Sequence, residues 1–214
     1  MNFNLKGYLE SNFSEVKVES PLFYNAPIGI RFELGVPYRG IEDPNYFLTV
    51  HLRAKTIFES LFSEQDDIVL LVKSFEYVES FMSFFEEQPI FSGMYIRKER
   101  LKEVKLYERF PDVDEDSQEL IGYTISQMLR CHRSDLKYTK IFQAIGNQDF
   151  RKIPYITDGI FIINLSRNII FYMYDDRGLD VIASDKNSLK TIYKLFNNWI
   201  LDYDRERIDK IFVE

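Results

Sequence analysis

The spacing of apolar positions changes several times along the chain, and each spacing names an element. Ile30, Phe32 and Leu34 alternate with Arg31 and Glu33, which predicts a half-buried strand over 28–34. From 45 to 62 the period lengthens. Val50, Ala54, Ile57, Phe58, Leu61 and Phe62 then share one helical face, away from Arg53, Lys55 and Glu59. Residues 68–72 form an unbroken aliphatic run suited to a buried strand, and a helix over 78–86 would group Val78, Phe81, Met82 and Phe85. At the start, residues 3–13 predict a short helix carrying Phe3, Leu5, Tyr8 and Leu9.

The second half is patterned more strongly. Residues 104–110 alternate imperfectly and read as a strand; 120–132 read as a longer strand that bends at Gly122. Tyr138, Ile141, Phe142 and Ile145 predict a helix that Ser134 caps and Gly146 stops. Three short apolar runs follow, at 160–165, 169–174 and 179–183, separated by Ser166-Arg167-Asn168 and Asp175-Asp176-Arg177-Gly178. Gaps that short require antiparallel hairpins, because a parallel return needs a crossover of about a dozen residues. A helix starting at Ser184 or Asp185 places Leu189, Ile192, Tyr193, Phe196, Trp199 and Ile200 on its core side, and a last helix over 204–212 is capped by Asp204. The expected class is α+β: a mainly antiparallel central sheet with a C-terminal three-strand meander and helices packed on one face. Residues 1–214 read as one domain, with 111–119 the place where any division would fall.

Composition narrows the roles. The chain has 214 residues, of which 45% are hydrophobic and 16% aromatic, enough for a sizeable core and too much for general disorder. Acidic residues outnumber basic ones 34 to 27, a net charge of −7, the opposite of what an overall nucleic-acid binder carries. Cys131 is the single cysteine, so no intrachain disulfide and no multi-cysteine zinc site is expected. The N-terminus lacks a basic-then-apolar leader, and no window approaches the roughly eighteen apolar residues of a membrane span. The expectation is a cytoplasmic protein without membrane contact, and no cofactor is implied.

Candidate chemistry is sparse. Five C-terminal aspartates, Asp175, Asp176, Asp180, Asp202 and Asp204, would hold a divalent cation if they converged. The competing reading is structural: Asp175 and Asp176 start a turn in which Gly178 supplies positive φ, Asp180 points to the outer strand face, and Asp202 and Asp204 cap the last helix. Cys131 and His132 are neighbours on a strand and so point to opposite faces, which leaves a buried thiol and a partly exposed imidazole. Arg97, Lys98, Arg100, Lys102 and Lys105, with Tyr95 and Tyr107 nearby, have the chemistry of an RNA-contacting face, diluted by Glu99, Glu103 and Glu108. The stretch 111–119 holds five acids, Asp112, Asp114, Glu115, Asp116 and Glu119, and no base. It reads as an exposed loop able to steer a cationic partner. The chain has no G-x-S-x-G, P-loop, G-x-G-x-x-G or H-E-x-x-H signature.

Several strings together resemble one family. They are Gly29-Ile30-Arg31-Phe32-Glu33-Leu34-Gly35, Asn147-Gln148-Asp149-Phe150, Ile162-Ile163-Asn164-Leu165, the run from Tyr172 through Tyr174-Asp175-Asp176-Arg177-Gly178 to Val181, and Trp199 through Asp202-Tyr203-Asp204-Arg205-Glu206. They are similar to the uncharacterised bacterial domain-of-unknown-function family 3885, and the likeness spans most of the chain. That resemblance implies a bacterial cytoplasmic protein and carries over no activity or catalytic residue. The leading functional expectation is a non-enzymatic interaction protein of the immunity or antitoxin type, binding a basic protein such as a toxin through 112–119. The alternative is a metal-dependent hydrolase or nuclease built on the five aspartates.

Overall fold

The computed structural model describes residues 3–37, 42–43, 45–78, 89–150 and 152–213. Seven strands of these residues form one sheet: β1 (Gly29–Glu33), β2 (Asp67–Tyr77), β3 (Lys105–Val113), β4 (Leu120–His132), β5 (Gly159–Asn164), β6 (Ile169–Met173) and β7 (Gly178–Ala183). Their spatial order is β1-β7-β6-β5-β2-β4-β3, and every neighbouring pair is antiparallel. Among the described residues five α-helices accompany them: α1 (Leu5–Asn12), α2 (Asn45–Leu61), α3 (Tyr138–Asn147), α4 (Asn187–Leu195) and α5 (Arg205–Phe212). The class is α+β, and the meander β5-β6-β7 lies where the three apolar runs place it. The helix expected over 78–86 lies outside the described residues, apart from Val78.

Both faces of the sheet are covered, not one. Strand side chains alternate, so Ile68, Leu70 and Val72 point to one side while Val69 and Leu71 point to the other. The first side meets α2 and α3. Phe171 of β6 sits there with its ring centroid 5.3 Å from those of Phe58 and Phe142, and Phe58 stacks on Phe62 at 4.3 Å. Ile208 and Phe212 of α5 belong to this core, as do Leu189 and Ile192 of α4. The second side meets the N-terminal segment: Leu5, Phe13, Val18, Leu22 and Ala26 pack on Val69, Leu71, Phe161, Ile163, Ile170 and Ile182. Two covered faces explain why β5, β6 and β7 read as continuous apolar runs; no residue of β6 or β7 is left for water.

Several local expectations change. α3 starts at Tyr138 without a side-chain cap from Ser134, because residues 133–135 form a separate turn in which Asp135 accepts the His132 N–H at 3.0 Å. The helix also runs one residue past Gly146. Asp204 precedes α5 but makes no cap there; its carboxylate is engaged elsewhere. β3 continues through Pro111 and Asp112 to Val113, and only 114–119 turn the chain into β4. The stretch considered as a division is therefore the end of a hairpin, both strands of which belong to the sheet. Gly122 does suit its place in β4, since a Cβ there would strike the Glu76 carbonyl and the Phe75 ring.

The two sheet edges are treated differently. On β1, Ile200 bridges to Phe32 and the Leu201 N–H donates to the Arg31 carbonyl at 3.0 Å, so that edge is closed by the chain itself. On β3, the outer edge carries Lys105, Glu108, Arg109, Asp112 and Pro111, and its pairing with β4 is broken by two register shifts. Charges, a proline and bulges discourage a further strand from adding there.

Candidate functional site

β5 pairs with β2 only as far as Lys73, whereas β2 and β4 stay paired to Tyr77 and Gly122. The distal parts of β2, β4 and β3 thus continue past the rest of the sheet as a three-stranded arm. No residue of β3 is buried. The arm exposes Phe75, Tyr77, Phe110, Val113, Leu120 and Ile121, with Tyr77 61% and Phe110 55% exposed. Of the five predicted partner-binding acids, all lie at its end, but with different duties. Asp114 builds the turn: its Oδ1 accepts the N–H groups of Asp116 and Ser117 at 3.1 and 2.8 Å, which holds its carboxyl below the ordinary value. Gln118 closes the turn with φ of 58°. Asp112 accepts from the Thr124 hydroxyl at 3.4 Å. Glu115, Asp116 and Glu119 have no side-chain partner among the described residues and project from the tip.

The five C-terminal aspartates separate. Asp180 and Asp204 do meet, but at a cation. Arg31 donates through Nε to Asp180 Oδ1 at 2.7 Å and through Nη2 to Oδ2 at 3.0 Å, and its Nη1 lies 3.8 Å from Asp204 Oδ2. The Phe23 N–H completes Asp180 at 2.9 Å, and the Tyr24 hydroxyl donates to Asp204 at 2.9 Å. Aromatic faces of Tyr24 and Tyr174 flank the guanidinium at 4.7 and 5.4 Å. Asp180 is fully buried rather than turned to an outer face; burial pushes its carboxyl up, and Arg31 and the Phe23 N–H pull it back. Asp202 is exposed and pairs with Arg205 at 3.0 Å. Among the described residues, no three of His, Cys, Asp and Glu gather as a metal-binding group.

Asp175 and Asp176 occupy the turn after β6, as the turn chemistry predicts. Asp175 accepts the Arg177 N–H at 2.7 Å and also binds the Arg177 guanidinium. Asp176 accepts from the Tyr46 hydroxyl of α2. Burial raises the Asp176 carboxyl, the Tyr46 bond lowers it, and the neighbouring Asp175 raises it again; the net direction is up. Gly178 is needed for space and not for positive φ, because a Cβ there would collide with the Tyr174 hydroxyl and the Phe32 carbonyl. Arg177 ties the turn to its surroundings: its carbonyl accepts the Leu34 N–H at 2.8 Å, and its guanidinium lies 3.9 Å from Asp149.

Strings far apart in the chain therefore share one network. Arg31 joins the 29–35 string to Asp180 and Asp204, while Gln148 donates to the Tyr174 carbonyl at 2.5 Å. Sequence reading missed Arg31 and Tyr24 as members, because Arg31 occupies a polar position of an alternating strand and its partner lies 149 residues away. Cys131 and His132 divide as expected: the thiol is buried and pushed up to about 12, chiefly by that burial, and the imidazole side is exposed. The basic segment forms the turn Lys98–Glu103 beside the last residues of β4.

An antiparallel seven-stranded sheet, clad on both faces and fastened at one end by a buried network of Arg31 with Asp180 and Asp204, defines an α+β protein. The chain belongs to the family described as Domain of unknown function (DUF3885), which matches residues 5–204. It is 28% identical over 214 residues to "Uncharacterized protein YnaE" of Bacillus subtilis (strain 168), with 94% of this chain and 98% of that protein covered. No solved structure matches it. No helix among the described residues is long and apolar enough to cross a membrane.

Proposed function

We propose that this protein acts by binding another protein, a cationic one, through the end of the β2-β4-β3 arm, in the manner of an immunity protein or antitoxin. The single observation that carries the reading is the pairing of exposed apolar side chains with free carboxylates at one place. Val113, Leu120 and Ile121 flank the turn that carries Glu115, Asp116 and Glu119. Protein interfaces combine a few large apolar anchors with a charged rim that steers encounter and fixes register. A solvated loop needs the charges but not the anchors.

In this reading Val113 and Leu120, cross-strand partners at the end of the arm, enter the interface and the tip carboxylates face Lys or Arg of the partner. Binding is stoichiometric and weakens as salt rises. The test is capture of a basic protein from the native bacterium, compared between the parent chain and the variant Glu115→Lys/Asp116→Lys/Glu119→Lys. The same basic protein should be retained by the parent, released by salt, and lost by the variant. Retention that ignores the charge reversal overturns the proposal, and so does the absence of any basic protein among those captured.

A further inference from the structure

At the other end of β3 the surface has the opposite character. β3 begins at Lys105, opposite Met128, so the last four residues of β4 have no strand beside them on that side. The turn Lys98–Glu103 stands off this free edge and leaves a cleft of about 650 Å³. The cations Arg100, Lys102, Lys105 and Arg130 line it beside His132, against the acids Asp67 and Glu103. That is a concentration of cations in a chain whose net charge is −7.

The two guanidiniums are oriented. Arg130 is held by Asp67, through Nε at 3.0 Å, and lies over the Phe3 ring at 4.6 Å. Arg100 donates to the Arg130 carbonyl at 2.9 Å and pairs with Glu103 at 3.0 Å and Asp135 at 3.6 Å. Both lining acids are therefore spent on holding arginines. Lys102 and Lys105 have no acidic partner among the described residues, and both are exposed. Fixed guanidiniums beside free ammonium groups are the chemistry that recognises phosphate oxygens. The volume falls within the range of small-molecule pockets, about 300–1,000 Å³.

We infer that this cleft binds the phosphate groups of a small molecule, with Lys102 and Lys105 making direct contacts and Arg100 and Arg130 fixing the geometry. A compact phosphate ligand suits it better than a nucleic-acid strand, because a strand needs a long cationic track and the neighbouring arm ends in carboxylates. The site is independent of the partner-binding arm, from which it is separated by the length of β3, roughly 27 Å.

The experiment is calorimetric titration of the full chain with inorganic pyrophosphate, ADP and a short uridine oligonucleotide, at low and moderate salt. Pyrophosphate or ADP should bind saturably and more weakly as salt rises. Lys102→Gln and Lys105→Gln should each weaken binding about tenfold. The control Lys190→Gln, on α4, should bind like the parent. The inference is overturned if neither pyrophosphate nor ADP saturates, if only the oligonucleotide binds, or if the cleft variants bind like the control. Circular dichroism of each variant separates loss of binding from loss of fold.

Discussion

One sheet contains two regions that behave as opposites. In β6 and β7 every residue is buried, with α2 and α3 above and the N-terminal segment below. In β3 no residue is buried, although it is hydrogen-bonded along most of its nine residues. Backbone pairing alone therefore does not make a strand part of the core; the cladding of its faces does. The buried end stores stability in aromatic packing and the Arg31 network, while the bare arm leaves most of its side chains in solvent.

The sharpest test of that contrast is a matched pair of truncations. Phe171→Ala removes a ring packed against Phe58, Phe62 and Phe142, and should cost about 3–5 kcal/mol of unfolding free energy by denaturant titration. Phe110→Ala should stay within ~0.5 kcal/mol. Equal costs would show that the arm is as much a part of the core as β6.

The Arg31 network should come next. Arg31→Met leaves Asp180 buried without its cation, a loss of about 3–5 kcal/mol, whereas Arg31→Met with Asp180→Leu should recover much of it. If the double variant is no better than the single, the penalty does not come from a stranded carboxylate. In the arm, Gly122→Ala forces a Cβ against the Glu76 carbonyl and the Phe75 ring, at about 1–3 kcal/mol. Hydrogen exchange should then quicken in 74–77 and 120–124 and leave 169–183 protected. Uniform quickening would merge the two regions into one cooperative unit.

The pH response of the buried end follows from Asp176. Its folded-state carboxyl titrates above the ordinary value of 3.8, so the folded chain keeps that proton where the unfolded chain has released it. Stability from this group is full below the unfolded value and is lost as pH rises through the folded one. Asp176→Asn cannot ionise, so its deficit relative to the parent should shrink as pH rises from the ordinary carboxylate value through the raised folded-state one; a constant deficit would contradict the assignment. The smallest effect is expected at the tip, where Glu115→Lys/Asp116→Lys/Glu119→Lys should leave the denaturation midpoint unchanged while abolishing partner capture.

Much of this was legible in the residues, and the parts that were not share a cause. Helix α2 and the meander follow from local spacing, because a period of 3.6 or an unbroken apolar run reports how many sides of an element are covered. The turn at Asp175 was readable from aspartate side chains bonding nearby N–H groups. The second clad face was not, since the 13–26 segment carries no regular period of its own. Asp204 looked like a helix cap and Asp180 like an outward residue because local rules assign a carboxylate its nearest backbone use. A guanidinium 149 residues from Asp180 outcompetes that use.

The amino-acid sequence by itself determined the class of fold, the antiparallel meander and the acidity of 112–119, since each depends on neighbours a few positions apart. Only the tertiary structure decided that the acids stand beside exposed apolar side chains at the end of an arm, that two aspartates close on Arg31, and that the basic segment faces a free strand edge. Those outcomes depend on which distant segments meet, and the pairing of distant charges and faces leaves no periodic trace along the chain.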